Sequence, residues 1–235
     1  AAPSIASTTR YYLSADALKD GGDALLIGQR AVGPLGQTAD DAGTVPVTIP
    51  GNTPAGSFLL LACADDAGDN AEEDESNNCR ASAGSIVVSK PDLTEISVNN
   101  PPATLNPGSS FTATDTVQNL GSAPAPASST RYYLSVDTLK DGGDLLLGGS
   151  RAVPLLSPGA SSPGSAAVSV PSGTPAGSYH LLACADDTQA MFEISESNNC
   201  FASSGTTQIL RPDLAETSVS NPPASVATGA IFSVT

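Results

Sequence analysis

The sequence predicts an all-β protein, a β-sandwich domain repeated in tandem with a period of 121 residues. Three observations predict it. Arg10-Tyr11-Tyr12-Leu13-Ser14 recurs as Arg131-Tyr132-Tyr133-Leu134-Ser135, Cys63 as Cys184, Cys79 as Cys200, and Pro91-Asp92-Leu93 as Pro212-Asp213-Leu214, each at an offset of 121. Short alternating or β-branched runs lie between turn clusters, the pattern of a sandwich. With 22 Gly and 19 Pro, turn-formers sit too close together for long helices.

The register does not slip between the copies. Residues 7–32 and 128–153 are identical at 20 of 26 positions. Self-similarity at domain length marks a tandem array. The Pro-Asp-Leu marker follows a strand-like run, Ile86-Val87-Val88, and is taken to open each unit. The expected division is a partial unit over 1–90 that lacks its opening strands, a complete unit over 91–211, and the opening strands of a further unit over 212–235. Within the complete unit seven strands are expected, at 93–98, 111–118, 129–135, 145–153, 166–170, 178–185 and 200–210, with no helix. Tyr179, Leu181 and Ala183 fall on one face of their strand, and His180, Leu182 and Cys184 on the other.

Charge narrows the partners. The chain carries 9 Lys+Arg against 24 Asp+Glu, a formal net charge of −15. Nucleic-acid binding needs a basic face, and membrane-surface binding a polybasic segment. Neither is encoded, and no run of 18 apolar residues suggests a membrane span. No signal peptide is read at the start, and the opening on Ala1 without Met is what a mature or excised piece is expected to show.

Four cysteines form two pairs, each with 15 residues between its members, and three connectivities are open. The repeat favours Cys63–Cys79 and Cys184–Cys200, since each unit then carries its own bridge. A loop of this size, once closed, constrains the unfolded chain by about 3 kcal/mol in the chain-entropy model. Such bridges imply an oxidising compartment. The alternative is a set of buried free thiols. Zinc fits less well, because neither pair has close ligand spacing and the chain has a single His.

Two acidic patterns stand out. Asp16, Asp20 and Asp23 recur as Asp137, Asp141 and Asp144, each set within eight residues around a Gly-Gly pair. Such carboxylates are candidate calcium ligands. They are equally the residues that bond to their own backbone in turns. Between the cysteines lie Asp65, Asp66, Asp69, Glu72, Glu73, Asp74 and Glu75, reduced in the second copy to Asp186, Asp187, Glu193 and Glu196. A loop that varies this much is expected to be a solvated face.

Catalysis finds little support. The lone His180 is replaced by Leu59 in the first copy, so a role as base or ligand is not expected. No Gly-rich phosphate loop opens a helix.

The stretches Tyr-Tyr-Leu-Ser … Asp-Gly-Gly-Asp and Leu-Leu-Ala-Cys-Ala-Asp-Asp … Glu-Ser-Asn-Asn-Cys, with the opening Pro-Asp-Leu and the Asn-Pro-Pro-Ala segment, resemble the CARDB family, the cell-adhesion-related domain found in bacteria. The resemblance implies an Ig-like sandwich in prokaryotic surface and secreted proteins, with no defined ligand. The expected function is that of a structural or adhesive repeat of an extracellular or cell-surface protein, not an enzyme. The alternative is an accessory carbohydrate- or cell-wall-binding module of a secreted enzyme. For a glycan or cell-surface ligand the repeated rings are Tyr11, Tyr12, Tyr132 and Tyr133, with one of each pair expected to be exposed. Thr235 aligns with Thr114 inside a strand and Ala1 with Ser122. The expectation is therefore either a longer chain or head-to-tail assembly with further copies, 212–235 of one completing 1–90 of the next.

Overall fold

The computed structural model describes residues 3–235. Twelve strands account for its regular structure: β1 (Ser7–Ser14), β2 (Ala24–Val32), β3 (Gly56–Cys63), β4 (Cys79–Val88), β5 (Leu93–Val98), β6 (Thr104–Leu105), β7 (Ser110–Asn119), β8 (Ser128–Ser135), β9 (Leu145–Val153), β10 (Ser161–Ser169), β11 (Gly177–Cys184) and β12 (Cys200–Ile209). One 3₁₀ turn, Glu75–Asn77, is capped by Asp74, whose side chain accepts from Ser76 N. Among the described residues no helix is long and apolar enough to cross a membrane.

The strands make two sheets. One has four strands in the order β2-β1-β3-β4, and the other eight in the order β5-β7-β10-β9-β8-β11-β12-β6. The larger sheet folds over on itself. β10 pairs along its full length with β7 but touches β9 only at Ser169–Gly148. That single bridge is the corner of a sandwich, with β5-β7-β10 as one layer and β9-β8-β11-β12-β6 as the other. Gly149 sits at the corner with φ 98°, where a Cβ would run into the carbonyl of Ala167. An L-residue is therefore excluded there twice, by conformation and by space.

Both layers contribute to the core. Ala113 and Val168 from one meet Tyr132, Leu134, Leu147, Leu181, Ala183 and Ile209 from the other. The alternation of β11 is as expected: Tyr179, Leu181 and Ala183 face this core, while Leu182 and Cys184 join Tyr133 in a small cluster on the opposite face.

Two strands depart from expectation. β10 begins at Ser161 rather than at 166. Pro163 and Gly164, outside the expected strand, lie within β10; Pro is tolerated in a strand whose neighbour does not need its N–H. Here β9 has splayed away on that side. Gly164 also leaves room for Arg151, whose side chain would collide with any Cβ at that position. The two-residue β6 was not expected; it pairs in parallel with Gln208 and Ile209.

The four-stranded sheet repeats the β9-β8-β11-β12 layer strand for strand, down to the bulge between Arg10 and Tyr12 that recurs between Arg131 and Tyr133. Among the described residues no second layer covers it. The segment 212–235 forms no strand and is exposed almost throughout. It does repeat one local contact of 91–114: Ser220 N donates to Thr235 O at 2.8 Å, as Asn99 N donates to Thr114 O at 3.0 Å.

Candidate functional site

The chemistry-bearing residues gather in three places: the outer face beside each disulfide, the Asp-rich loop after β1 and after β8, and the interior of the sandwich.

The structure links Cys63 to Cys79 and Cys184 to Cys200, joining β3 to β4 and β11 to β12 at their facing ends. Over each bridge lies a tyrosine. The Tyr133 hydroxyl donates to Asp187 at 2.6 Å, Arg131 lies 3.6 Å from the same carboxylate, and the Lys140 ammonium stands 4.2 Å from the ring centroid. The first copy repeats this group: Tyr12 donates to Asp66 at 2.6 Å, Arg10 lies at 3.6 Å, Lys19 pairs with Asp66, and Lys19 sits 4.9 Å from the ring centroid. Burial, with the facing Asp187 carboxylate, pushes the Tyr133 hydroxyl up to about 12. Burial alone would raise Asp66, but the bonds from Lys19 and Tyr12 hold it below its usual value. Lys19 and Lys140 thus belong to these brackets. The expected exposed ring of each pair is not found: Tyr12 and Tyr133 are buried on the outer face, Tyr132 is buried in the core, and Tyr11 is half-buried. The loop and the lysine cover the face that alternation alone leaves open.

In the Asp-rich loops the carboxylates bond to their own backbone. Asp16 Oδ1 accepts from Leu18 N at 2.7 Å, Asp20 Oδ1 from Gly22 N at 2.7 Å, and Asp23 Oδ2 from Asp20 N at 3.0 Å. Asp137, Asp141 and Asp144 do the same with Leu139, Gly143 and Asp141. These are Asx-type turns. Among the described residues no three His, Cys, Asp or Glu side chains come together as a metal set.

The loop between the cysteines corrects an expectation. It is not simply a solvated face. Asp186 and Glu193 are buried, and most of the acids present in both copies accept a structural bond. Asp65 accepts from Asn70 N and Asp186 from Met191 N; Glu75 accepts from Glu72 N and Glu196 from Glu193 N. Glu193 goes further. Its two oxygens accept from Leu93 N at 3.0 Å and Asn199 Nδ2 at 2.6 Å, which ties the loop to the start of β5. Burial pushes its carboxyl up to about 7, although both hydrogen bonds oppose the shift.

Inside the sandwich lies a charged cluster that no motif announced. Asp115 on β7 accepts from Tyr132 Oη at 2.6 Å and from Arg151 Nε at 2.8 Å, and it also pairs with Arg151 Nη2. Glu95 on β5 accepts from the Thr130 hydroxyl at 2.8 Å. Burial, and then the nearby Asp115, raise the Glu95 carboxyl far above its ordinary value. A neutral Glu95 leaves one carboxylate for one guanidinium, the balance a buried pair requires. In the first sheet Arg30 and Tyr11 occupy the places of Arg151 and Tyr132. Arg30 there turns to Asp41, at 2.5 Å.

Fold and site together define a disulfide-braced β-sandwich whose polar side chains are spent on its own loops. Residues 90–203, just under half of the chain, match the CARDB family. Among solved structures, the chain is similar to the CARDB domain of a Pyrococcus furiosus protein in complex with di-metal ions, at 21% identity and a TM-score of 0.36, covering 52% of this chain and 90% of that one. It is also similar to a domain of a Methanosarcina acetivorans protein whose description assigns it to the cell surface, at 22% identity and a TM-score of 0.36, covering 52% of this chain and 95% of that one. No curated protein matches the chain.

Proposed function

We propose that the chain is a structural repeat of an extracellular or cell-surface protein, divided into units at 1–90, 91–211 and 212–235. Its work is to hold length and shape outside the cell and to present or space adhesive parts. The observation that carries this reading is the repeated bracket of disulfide, Tyr, Asp, Arg and Lys. Both copies retain all of it, and in each the Tyr hydroxyl and the Arg turn to the same Asp carboxylate beside the bridge. Disulfides accord with an oxidising compartment. A module for glycans needs exposed rings, and the repeated tyrosines are buried or half-buried, so the accessory-binding alternative gains nothing from the geometry. The reading carries no catalytic role and no calcium requirement, the Asp triplets serving as turns.

The test is surface labelling of intact cells, followed by non-reducing peptide mapping. We expect labelled protein carrying both Cys63–Cys79 and Cys184–Cys200. Protein confined to the cytosol with free thiols overturns the reading.

A further inference from the structure

We infer that the units 1–90 and 91–211 meet at a rigid elbow, locked by Phe192 seated on Gly51, so that the pair holds one fixed angle. This rests on the repeat reading above and deepens it, since a spacer that sets shape needs a joint that does not swing.

Four residues, 89–92, separate β4 from β5. A short connection across a small interface ordinarily lets two domains move. Here the connection is absorbed into the second unit. Pro91 fixes its own φ and restricts Lys90 before it. Lys90 O accepts from Ser122 N at 2.9 Å and from Ala123 N at 3.1 Å, Pro91 O from Ile194 N at 3.0 Å, and Asp92 O from Leu120 N at 2.7 Å. Asp92 also donates its N–H to Asn119 Oδ1 and accepts from Asn198 Nδ2, both at 3.1 Å. Gly121 lets the turn press this close, because a Cβ there would run into Lys90 O and Asp92 N. The turn after β7 thus grips one side of the connection, and the loop between Cys184 and Cys200 grips the other. That leaves the step over Ser89 as the hinge.

Phe192 spans this hinge. Its ring lies on Gly51, in the turn that Thr53 N closes on Pro50 O, and any Cβ at residue 51 would collide with it. The Lys90 ammonium stands 5.9 Å from the ring centroid. The ring is braced from behind. Met191 N donates to Asp186 at 3.2 Å, Glu193 N donates to Glu196 at 3.1 Å, and the Cys184–Cys200 bridge closes the loop. A side chain already held in this way loses little freedom on docking. The joint is otherwise open: a cleft of about 350 Å³, lined by Ile49, Pro50, Val87, Val88 and Phe192, remains beside the ring. The angle is therefore fixed by a wedge and its seat rather than by a broad packed interface.

The sequence treats wedge and seat as a pair. At the 121-residue offset Ala71 stands for Phe192 and Ser172 for Gly51. The ring is present in the copy that reaches across this joint, and the missing Cβ in the copy that receives it. Neither is a general feature of the repeat.

The experiment uses the full chain. Residual dipolar couplings are measured for the amides of β1–β4 and of β7–β12, in the chain itself and in the variants Phe192→Ala and Gly51→Val. Phe192 is 61% exposed and Gly51 lies in an exposed turn, so neither substitution unfolds a unit. The two variants also approach the contact from opposite sides. In the unsubstituted chain one alignment tensor is expected to fit both units. In each variant that common tensor is lost and each unit requires its own, while the amides of Ser122 and Ile194 keep their protection from hydrogen exchange, which distinguishes a loosened hinge from a disrupted sandwich. Separate tensors in the unsubstituted chain overturn the inference. So does a common tensor that survives in both variants. Neither result touches the surface-repeat reading, which fails only if the protein is cytosolic and reduced.

Discussion

The sheet over 1–90 and the layer β9-β8-β11-β12 are built from nearly the same residues and carry different burdens. Tyr132 is fully buried while Tyr11 is half-buried; Leu181 is fully buried while Leu60 is 37% exposed. Arg151 lies inside against Asp115, while Arg30 lies outside against Asp41. The strands, bulge, disulfide and tyrosine bracket are the same in both. Hairpin chemistry and the outer-face cluster are therefore local properties of this sequence. Core burial and the interior ion pair belong to the second layer, which only residues 91–119 and β10 supply.

The largest expected difference is at the arginines. Arg151→Met leaves Asp115 buried without its cation and destabilises the sandwich by about 3–5 kcal/mol. Arg30→Met removes an exposed pair and costs about 1 kcal/mol or less. Urea denaturation of both variants checks this, and equal costs would mean that the first sheet also has a completed interior.

Next come the paired leucines. Leu181→Ala opens a cavity in the core and costs roughly 2–5 kcal/mol. Leu60→Ala, on the uncovered face, stays within about 1 kcal/mol in dilute solution. Thermal melts of the two variants sharpen the contrast.

The smallest effect is in pH. Glu193 ionises near 7 in the folded chain against an ordinary 4.5. The native state therefore holds the proton more tightly than the unfolded one. The associated stability is fully present below about 4.5 and lost as pH rises through 7. Glu95, shifted in the same direction, adds to it. Melting should be lower at alkaline than at mildly acidic pH, and Glu193→Gln should flatten that slope. A slope unchanged in this variant would remove Glu193 as its source.

Much of this was legible before any coordinates. Alternation and turn spacing placed seven of the eight strands of the larger sheet, all but the two-residue β6, because these signals act within a few positions of each other. They failed where distant groups decide. The strand was expected to begin at 166, yet Pro163 and Gly164 also lie in β10, because β9 leaves that edge free and Arg151 needs the space above Gly164. The acidic loop read as solvated, yet Glu193 bonds to Leu93, a hundred residues away. Alternation left one ring of the Tyr132-Tyr133 pair exposed, yet Lys140 and Asp187 enclose Tyr133 on the outer face.

By itself, then, the amino-acid order determined the all-β class, the period, the strands and the loops that turn on Asp and Gly-Gly, since all of these follow from short-range sterics and backbone hydrogen bonding. The tertiary structure alone decided which copy of each repeated side chain is buried. It also decided that Asp115, Glu95 and Arg151 meet in one interior cluster, because burial and ion pairing depend on which layer stands opposite, and two copies of one sequence need not face the same thing.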